Sequence, residues 1–281
     1  MTPFRVYLTL GRVSNLPTVW TNTLAGIVLA GGVFAPRTYG LLALGMSLFY
    51  VGGMFLNDAF DRGIDAVERP ERPIPSGKIS ATEVFTIGFL LMAGGAVLTA
   101  MVSVRAIAPA LGLGAAIVLY DAWHKKNPLS PLIMGLCRVL VYVTSAFASA
   151  TEVQSGVWVG AVVLLCYLIG LTYVAKQENL TEVKNLWPLL FLGAPLAMAP
   201  SMRDAVALVI LVALLGWVVR CVLLVRERKP GNIPRAVVGL IAGISLLDAL
   251  LVAKAGRPEL ATIGGVGFFL TLAGQKYVKG T

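Results

Sequence analysis

The sequence predicts an all-α protein that lies in a membrane. Three observations carry this. Of its 281 residues, 57% are hydrophobic and only 13% charged, with a mean hydropathy of +0.82. The apolar residues are gathered into long runs, where a β-barrel would show short alternating segments. The cations are gathered between those runs, mainly in alternate loops.

Ten apolar runs follow one another, each bounded by charges or by Pro and Gly. They cover residues 16–35, 39–57, 82–102, 106–123, 129–150, 155–175, 186–200, 204–225, 234–253 and 259–275. The first is too long for a signal-peptide core and reads as a retained span. The seventh and tenth are short for a bilayer. No soluble domain, long linker or repeat interrupts them, so residues 1–281 read as one integral-membrane domain. One set of alternate loops, with both termini, holds 16 Lys and Arg; the opposite set holds 5. The positive-inside rule therefore places the N-terminus and the acidic loops in the cytoplasm and favours an even number of spans.

The net charge of +9 would suit nucleic acid, but cations spread between apolar runs exclude that partner and leave membrane lipids as the surroundings. Cys137, Cys166 and Cys221 all fall within spans and show no CxxC spacing, so neither a metal site nor a disulfide follows. The lone His124 cannot form a histidine cluster. It reads as an interface residue, and no obligate protein partner is evident.

The chemistry concentrates at the end of the second run, in Asn57-Asp58-Ala-Phe-Asp61-Arg62-Gly-Ile-Asp65. Ionised groups at a span end are costly and usually functional. On a helix Asp58, Asp61 and Asp65 share one face, with Asn57 at its edge. A row of carboxylates suits Mg²⁺, which takes a few carboxylates together with water and substrate phosphate. The chain continues through Arg69-Pro70-Glu-Arg72-Pro73-Ile-Pro75-Ser76-Gly77-Lys78, which adds cations and turn formers.

The run N-D-x-x-D-x-x-x-D followed by R-P-I-P-S-G resembles the first signature of the UbiA-type intramembrane prenyltransferases. The motif match covers residues 57–78, and the hydropathy layout extends it over the chain. The resemblance implies helices, nine in the typical family member, around a central cavity for an isoprenoid tail. Together with the ten runs it gives an expectation of about nine to ten spans. It also implies Mg²⁺-dependent transfer of a prenyl group from a prenyl diphosphate to a small acceptor, aromatic acceptors included. Asp58, Asp61 and Asp65 would be the metal-binding and catalytic carboxylates, with Asn57 and Arg72 at the diphosphate. The family's second signature is D-x-x-x-D. Here Glu178 and Glu182 keep its spacing with a longer side chain and are the expected second metal-binding, catalytic pair. That departure is similar to less characterised branches such as the EboC-like proteins.

Further basic groups fit the same reading. Tyr120 and Lys125 stand where the family often has Y-x-x-x-K-R, with His124 at the first basic position. Arg138, in Gly135-Leu-Cys-Arg138, matches a family G-x-x-R setting. All three are expected at the diphosphate. An intramembrane arginine in any case needs a carboxylate or phosphate partner. Asp121 is expected to pair with a lysine. Asp248 is expected to pair with Arg220 or Lys254 and has no assigned chemistry. Asn15 and Asn22 could face the cavity. A transporter or non-catalytic isoprenoid binder would also carry inward carboxylates, and an intramembrane terpene cyclase would use the same ionisation without an acceptor. Carboxylates at a span end, away from midplane, argue against transport.

Overall fold

The structure is a computed structural model and describes residues 3–125, 127–176 and 187–278. Among them there is no strand. The order is α1 (Pro3–Leu10), α2 (Leu16–Leu29), α3 (Pro36–Glu68), α4 (Ala81–Val102), α5 (Ile107–Trp123), α6 (Ser130–Ser149), α7 (Gly156–Lys176), a 3₁₀ segment (Trp187–Ser201), α8 (Ala205–Glu227), α9 (Asn232–Lys254) and α10 (Pro258–Gly274). Each of the ten apolar runs coincides with one helical element.

The count of spans is corrected downward. Among the described residues seven helices, α3 to α9, are long and apolar enough to cross a membrane. That makes the chain an integral membrane protein, but it is fewer than nine or ten. The shortfall has local causes. Helix α2 has 14 residues because its run breaks at Gly31, whose φ of 75° ends the helix. The 3₁₀ segment carries Pro195 and Pro200 inside it; proline lacks the N–H that an α-helix needs. At about 2 Å per residue its 15 residues still reach ~30 Å.

Helix α9 forms the middle of the bundle, with 83% of its apolar window buried; α4, α5 and α8 lie outside, at 28% each. The main apolar core joins α2, α6, α7, α8 and α9 through side chains such as Leu24, Tyr142, Leu164, Leu214 and Leu250. A second cluster, with Val19, Met46, Phe49, Leu113 and Val141, lies between α2, α3, α5 and α6. Helices α3 and α4 approach closely at Gly52, where a Cβ would meet the Gly88 carbonyl oxygen at 2.7 Å. Small residues at such crossings let backbones come together in lipid.

Helix α3 positions the acidic row. Its 33 residues extend about 50 Å at 1.5 Å per residue, against a hydrocarbon thickness of ~30 Å. The last dozen residues therefore extend the helix beyond one bilayer's worth of apolar contact, and they carry Asn57 to Asp65. Helix α4 restarts with Ser80, whose hydroxyl accepts from the Glu83 N–H at 3.1 Å, a capping-box start.

Candidate active site

The end of α3 is helical through Glu68, so the spacing of Asp58, Asp61 and Asp65 does place them on one face. All are buried, as is Asn57. Buried carboxylates need partners, and three cations and a histidine from three other parts of the chain supply them.

The first is Arg12, in the turn between α1 and α2. Its Nη2 lies 3.1 Å from Asp58 Oδ1 and 3.3 Å from Asn57 Oδ1. The residue adopts φ 41° and ψ 46°, a left-handed conformation that costs a non-glycine residue about 1–3 kcal/mol. Burial alone would lower the pKa of this guanidinium. The Asp58 charge, with smaller help from Tyr50, Tyr120 and Asp121, outweighs burial and raises it.

The second is Arg72. The R-P-I-P-S-G stretch turns back on itself, with the Ser76 and Lys78 N–H groups donating to the Arg72 and Pro73 carbonyls and Gly77 at φ 71°. This brings Arg72 Nη1 to 2.7 Å from Asp65 Oδ2 and 3.3 Å from Asp58 Oδ1. The third and fourth follow α5: His124 Nε2 and Lys125 Nζ lie 3.5 and 3.4 Å from Asp61 Oδ2. Tyr120 stacks on the His124 ring, centroids 4.9 Å apart.

Beneath this mouth lies a cavity of ≈ 140 Å³. Arg12, Tyr120 and Asp121 line its polar end, and Phe49, Leu113, Val141 and Leu168 are among its apolar walls. Asn15 lines it too, donating to the Tyr50 hydroxyl at 3.2 Å. Arg138 also lines it, at a deeper level. Its guanidinium lies over the Tyr50 ring at 5.5 Å and donates to Asn22 Oδ1 at 2.9 Å. Tyr50 precedes Asn57 by about two helical turns, or ~10 Å.

Several expectations are corrected. Among the described residues Asp121 pairs with no lysine; it accepts from Asn57 Nδ2 at 3.1 Å, and Lys125 reaches Asp61 instead. Asp248 pairs with neither Arg220 nor Lys254. Its Oδ2 accepts from Thr21 at 2.5 Å and Asn22 at 2.8 Å, and its Oδ1 from the Tyr142 hydroxyl. Arg220 instead lies over the Trp217 ring. Asn22 is fully buried between Arg138 and Asp248 and does not line the cavity. Sequence reasoning gave Arg12 no role at the site, and read His124 as an interface residue although it stands at the first basic position of the Tyr120–Lys125 stretch. Nothing local marks Arg12, since its partner Asp58 is 46 residues away. Glu178 and Glu182 lie outside the described residues.

The donor set fits a hard divalent cation. One oxygen each of Asp58, Asp61 and Asp65 is held by a cation, while the opposite oxygen makes no ion pair among the described residues. No three Asp, Glu, His or Cys side chains among the described residues converge into a complete site. The free carboxylate oxygens suit Mg²⁺, which takes one or two protein carboxylates and fills the rest with water and phosphate oxygen.

Known proteins resemble this chain in sequence and fold. A digeranylgeranylglyceryl phosphate synthase of Natronomonas pharaonis is 31% identical over 179 residues, covering 62% of this chain and 61% of that protein. One from Methanothrix thermoacetophila is 32% identical over 120 residues, covering 42% and 45%. A chloroplastic chlorophyll synthase of Avena sativa is 36% identical over 125 residues, covering 43% and 27%. The matched part thus spans less than two thirds of each relative's own length. Among solved structures, a digeranylgeranylglyceryl phosphate synthase superposes with a TM-score of 0.64 at 21% identity, covering 91% of this chain and 99% of the other. A UbiA homologue from Archaeoglobus fulgidus bound to DMAPP and Mg²⁺ gives 0.56 at 14%, covering 90% and 99%; at such identities the likeness is one of fold. A sequence model of the UbiA prenyltransferase family matches residues 19–272, nearly the whole chain, and with the fold and the acidic row at the mouth this means that the chain belongs to the UbiA prenyltransferase family.

Proposed function

We propose that this protein transfers a prenyl group from a prenyl diphosphate to a small acceptor, with Mg²⁺. The observation that carries the reading is the meeting of one carboxylate row with Arg12, Arg72, Lys125 and His124 at the mouth of an apolar cavity. Such a mouth suits a diphosphate whose hydrocarbon tail lies below it.

Asp58, Asp61 and Asp65 would hold the metal, with Glu178 and Glu182 as the second acidic pair. The bound cation would act as a Lewis acid on the departing pyrophosphate. Arg12, Arg72 and Lys125 pair with the same carboxylates and would donate to diphosphate oxygens, orienting the leaving group and offsetting its charge. Asn57 holds Arg12 and Asp121 in place. Tyr120 and Arg138 line the cavity below, where the apolar walls exclude water from the allylic centre.

The relatives are named for products built on glyceryl phosphate or on chlorophyll, so a prenylglyceryl phosphate is the first acceptor to test, ahead of free aromatic acids. The 16-to-5 cation asymmetry supports a cytoplasmic mouth. The test is mass-spectrometric product analysis after incubating purified protein with geranylgeranyl diphosphate and Mg²⁺, with and without geranylgeranylglyceryl phosphate. An acceptor-dependent prenylated product is expected. Tight diphosphate binding with no turnover would favour a carrier, and a cyclic hydrocarbon formed without acceptor would favour a cyclase.

A further inference from the structure

One buried carboxylate oxygen beside the mouth has no hydrogen-bond partner among the described residues. Asp121 is 4% exposed, and its Oδ2 is buried with no hydrogen bond among the described residues. Its Oδ1 accepts from Asn57 Nδ2 at 3.1 Å, and the Asn57 Oδ1 accepts in turn from Arg12. The Asn57 amide is thus held between a cation and a carboxylate, and Asp121 is held by one oxygen only. The residue lines the cavity, beside Tyr120 and on the same level as Arg12. Orphaned buried polar atoms are rare, because desolvating one costs about 1–3 kcal/mol, more when it is charged. A carboxylate that lines a cavity while one of its oxygens is buried without a donor is completed when a group entering the cavity reaches that oxygen.

We infer that Asp121 is the general base of the transfer, with Oδ2 receiving first the hydrogen bond and then the proton of a hydroxyl on the acceptor. This rests on the prenyl-transfer reading above and deepens it by naming the acceptor class: an alcohol or phenol that reacts through oxygen. In the balanced step, the C–O bond of the prenyl diphosphate breaks and its electron pair leaves on pyrophosphate. A lone pair of the acceptor oxygen forms the new bond to the allylic carbon. The hydroxyl proton passes to Asp121 Oδ2 and leaves with the released pyrophosphate or water. No oxidant or reductant is needed. The position is apt for the role. Asn57 joins Asp121 to the end of α3, so the base sits next to the groups expected around the diphosphate without being committed to them. Lys125 and His124, which could have neutralised Asp121, are turned to Asp61.

The test compares two acceptors in wild type and in Asp121→Asn, which keeps the size of the side chain and its contact to Asn57. Purified full-length protein receives labelled geranylgeranyl diphosphate, Mg²⁺ and either a prenylglyceryl phosphate with one free hydroxyl or the same compound with a thiol in its place. Positioned general bases contribute on the order of 10²–10⁴ in rate, so transfer to the hydroxyl acceptor should fall on the order of 100-fold or more. A thiol is far more acidic than an alcohol and a stronger nucleophile, so it needs little help from a base, and transfer to it should stay within about tenfold of wild type. That rescue also shows that the variant is folded and still binds the diphosphate. An equal fall with both acceptors would assign Asp121 a structural role and overturn the inference, as would hydroxyl transfer by Asp121→Asn at the wild-type rate. Wild type that cleaves the diphosphate but never alkylates the hydroxyl would overturn the acceptor class while leaving prenyl-diphosphate chemistry standing. Wild type that neither cleaves nor transfers would remove the prenyl-transfer reading, and this inference with it.

Discussion

Arg72 and Asp65, seven residues apart, form the shortest ion pair of the acidic row, 2.7 Å from Nη1 to Oδ2. The same nitrogen lies 3.3 Å from Asp58 Oδ1, so one guanidinium joins the first and last carboxylates of the row. A bend of the loop after α3 places it there.

Removing that guanidinium leaves two buried carboxylates short of a cation. Arg72→Gln should lose about 2–3 kcal/mol of stability, the low end for a broken buried pair, because the Arg72 side chain keeps some exposure. Unfolding in mild detergent should show the loss in metal-free buffer. Millimolar Mg²⁺ should recover more of it in the variant than it adds to wild type. An equal Mg²⁺ response in both proteins would argue that the row does not take the cation.

Metal and diphosphate should bind through the same row. Asp58→Asn or Asp61→Asn should abolish the Mg²⁺-dependent protection against thermal unfolding that a prenyl diphosphate analogue gives wild type. Full protection in both variants would remove Asp58 and Asp61 from the metal site.

The Glu pair tests whether a second acidic arm is used. If Glu178 and Glu182 hold a metal, Glu178→Gln and Glu182→Gln should each cost on the order of 100-fold in turnover of labelled prenyl diphosphate, the scale of losing one electrostatic stabiliser. The Asp variants should lose less, since they keep the charge and the spacing. Unchanged turnover in the Gln variants would take the pair out of the mechanism.

Asp248 collects three donors from two other helices, Thr21 and Asn22 of α2 and Tyr142 of α6, at 1% exposure. Asp248→Ala should destabilise the bundle by about 3 kcal/mol, because three buried donors lose their acceptor at once. Asp248→Asn, which keeps one acceptor oxygen, should lose less. Chemical unfolding in detergent micelles measures both, and an Ala variant as stable as wild type would show that the three donors find other partners.

The mouth should face the cytoplasm. A single cysteine at Ser76, in a chain with Cys137, Cys166 and Cys221 replaced, should resist an impermeant thiol reagent in intact cells and react after permeabilisation. Labelling before permeabilisation reverses the orientation.

The amino-acid sequence by itself determined the class of the protein, the position of its apolar elements and the face that Asp58, Asp61 and Asp65 share. These are short-range properties. Hydropathy is summed over neighbouring residues, and helical periodicity relates residues a few places apart. Even the shortened α2 and the 3₁₀ segment had visible causes, in Gly31 and in Pro195 and Pro200. What answers those carboxylates was decided only by the packing of the helices. Arg12 reaches Asp58 across 46 residues, Asn57 reaches Asp121 across 64, and Thr21 reaches Asp248 across 227. A lysine close by in sequence looked the natural partner for Asp121, and Arg220 or Lys254 for Asp248. The fold instead sends Lys125 to Asp61 and Arg220 to Trp217. Buried charge is settled by whichever donor the packed bundle brings within hydrogen-bonding distance, and proximity along the chain does not measure that.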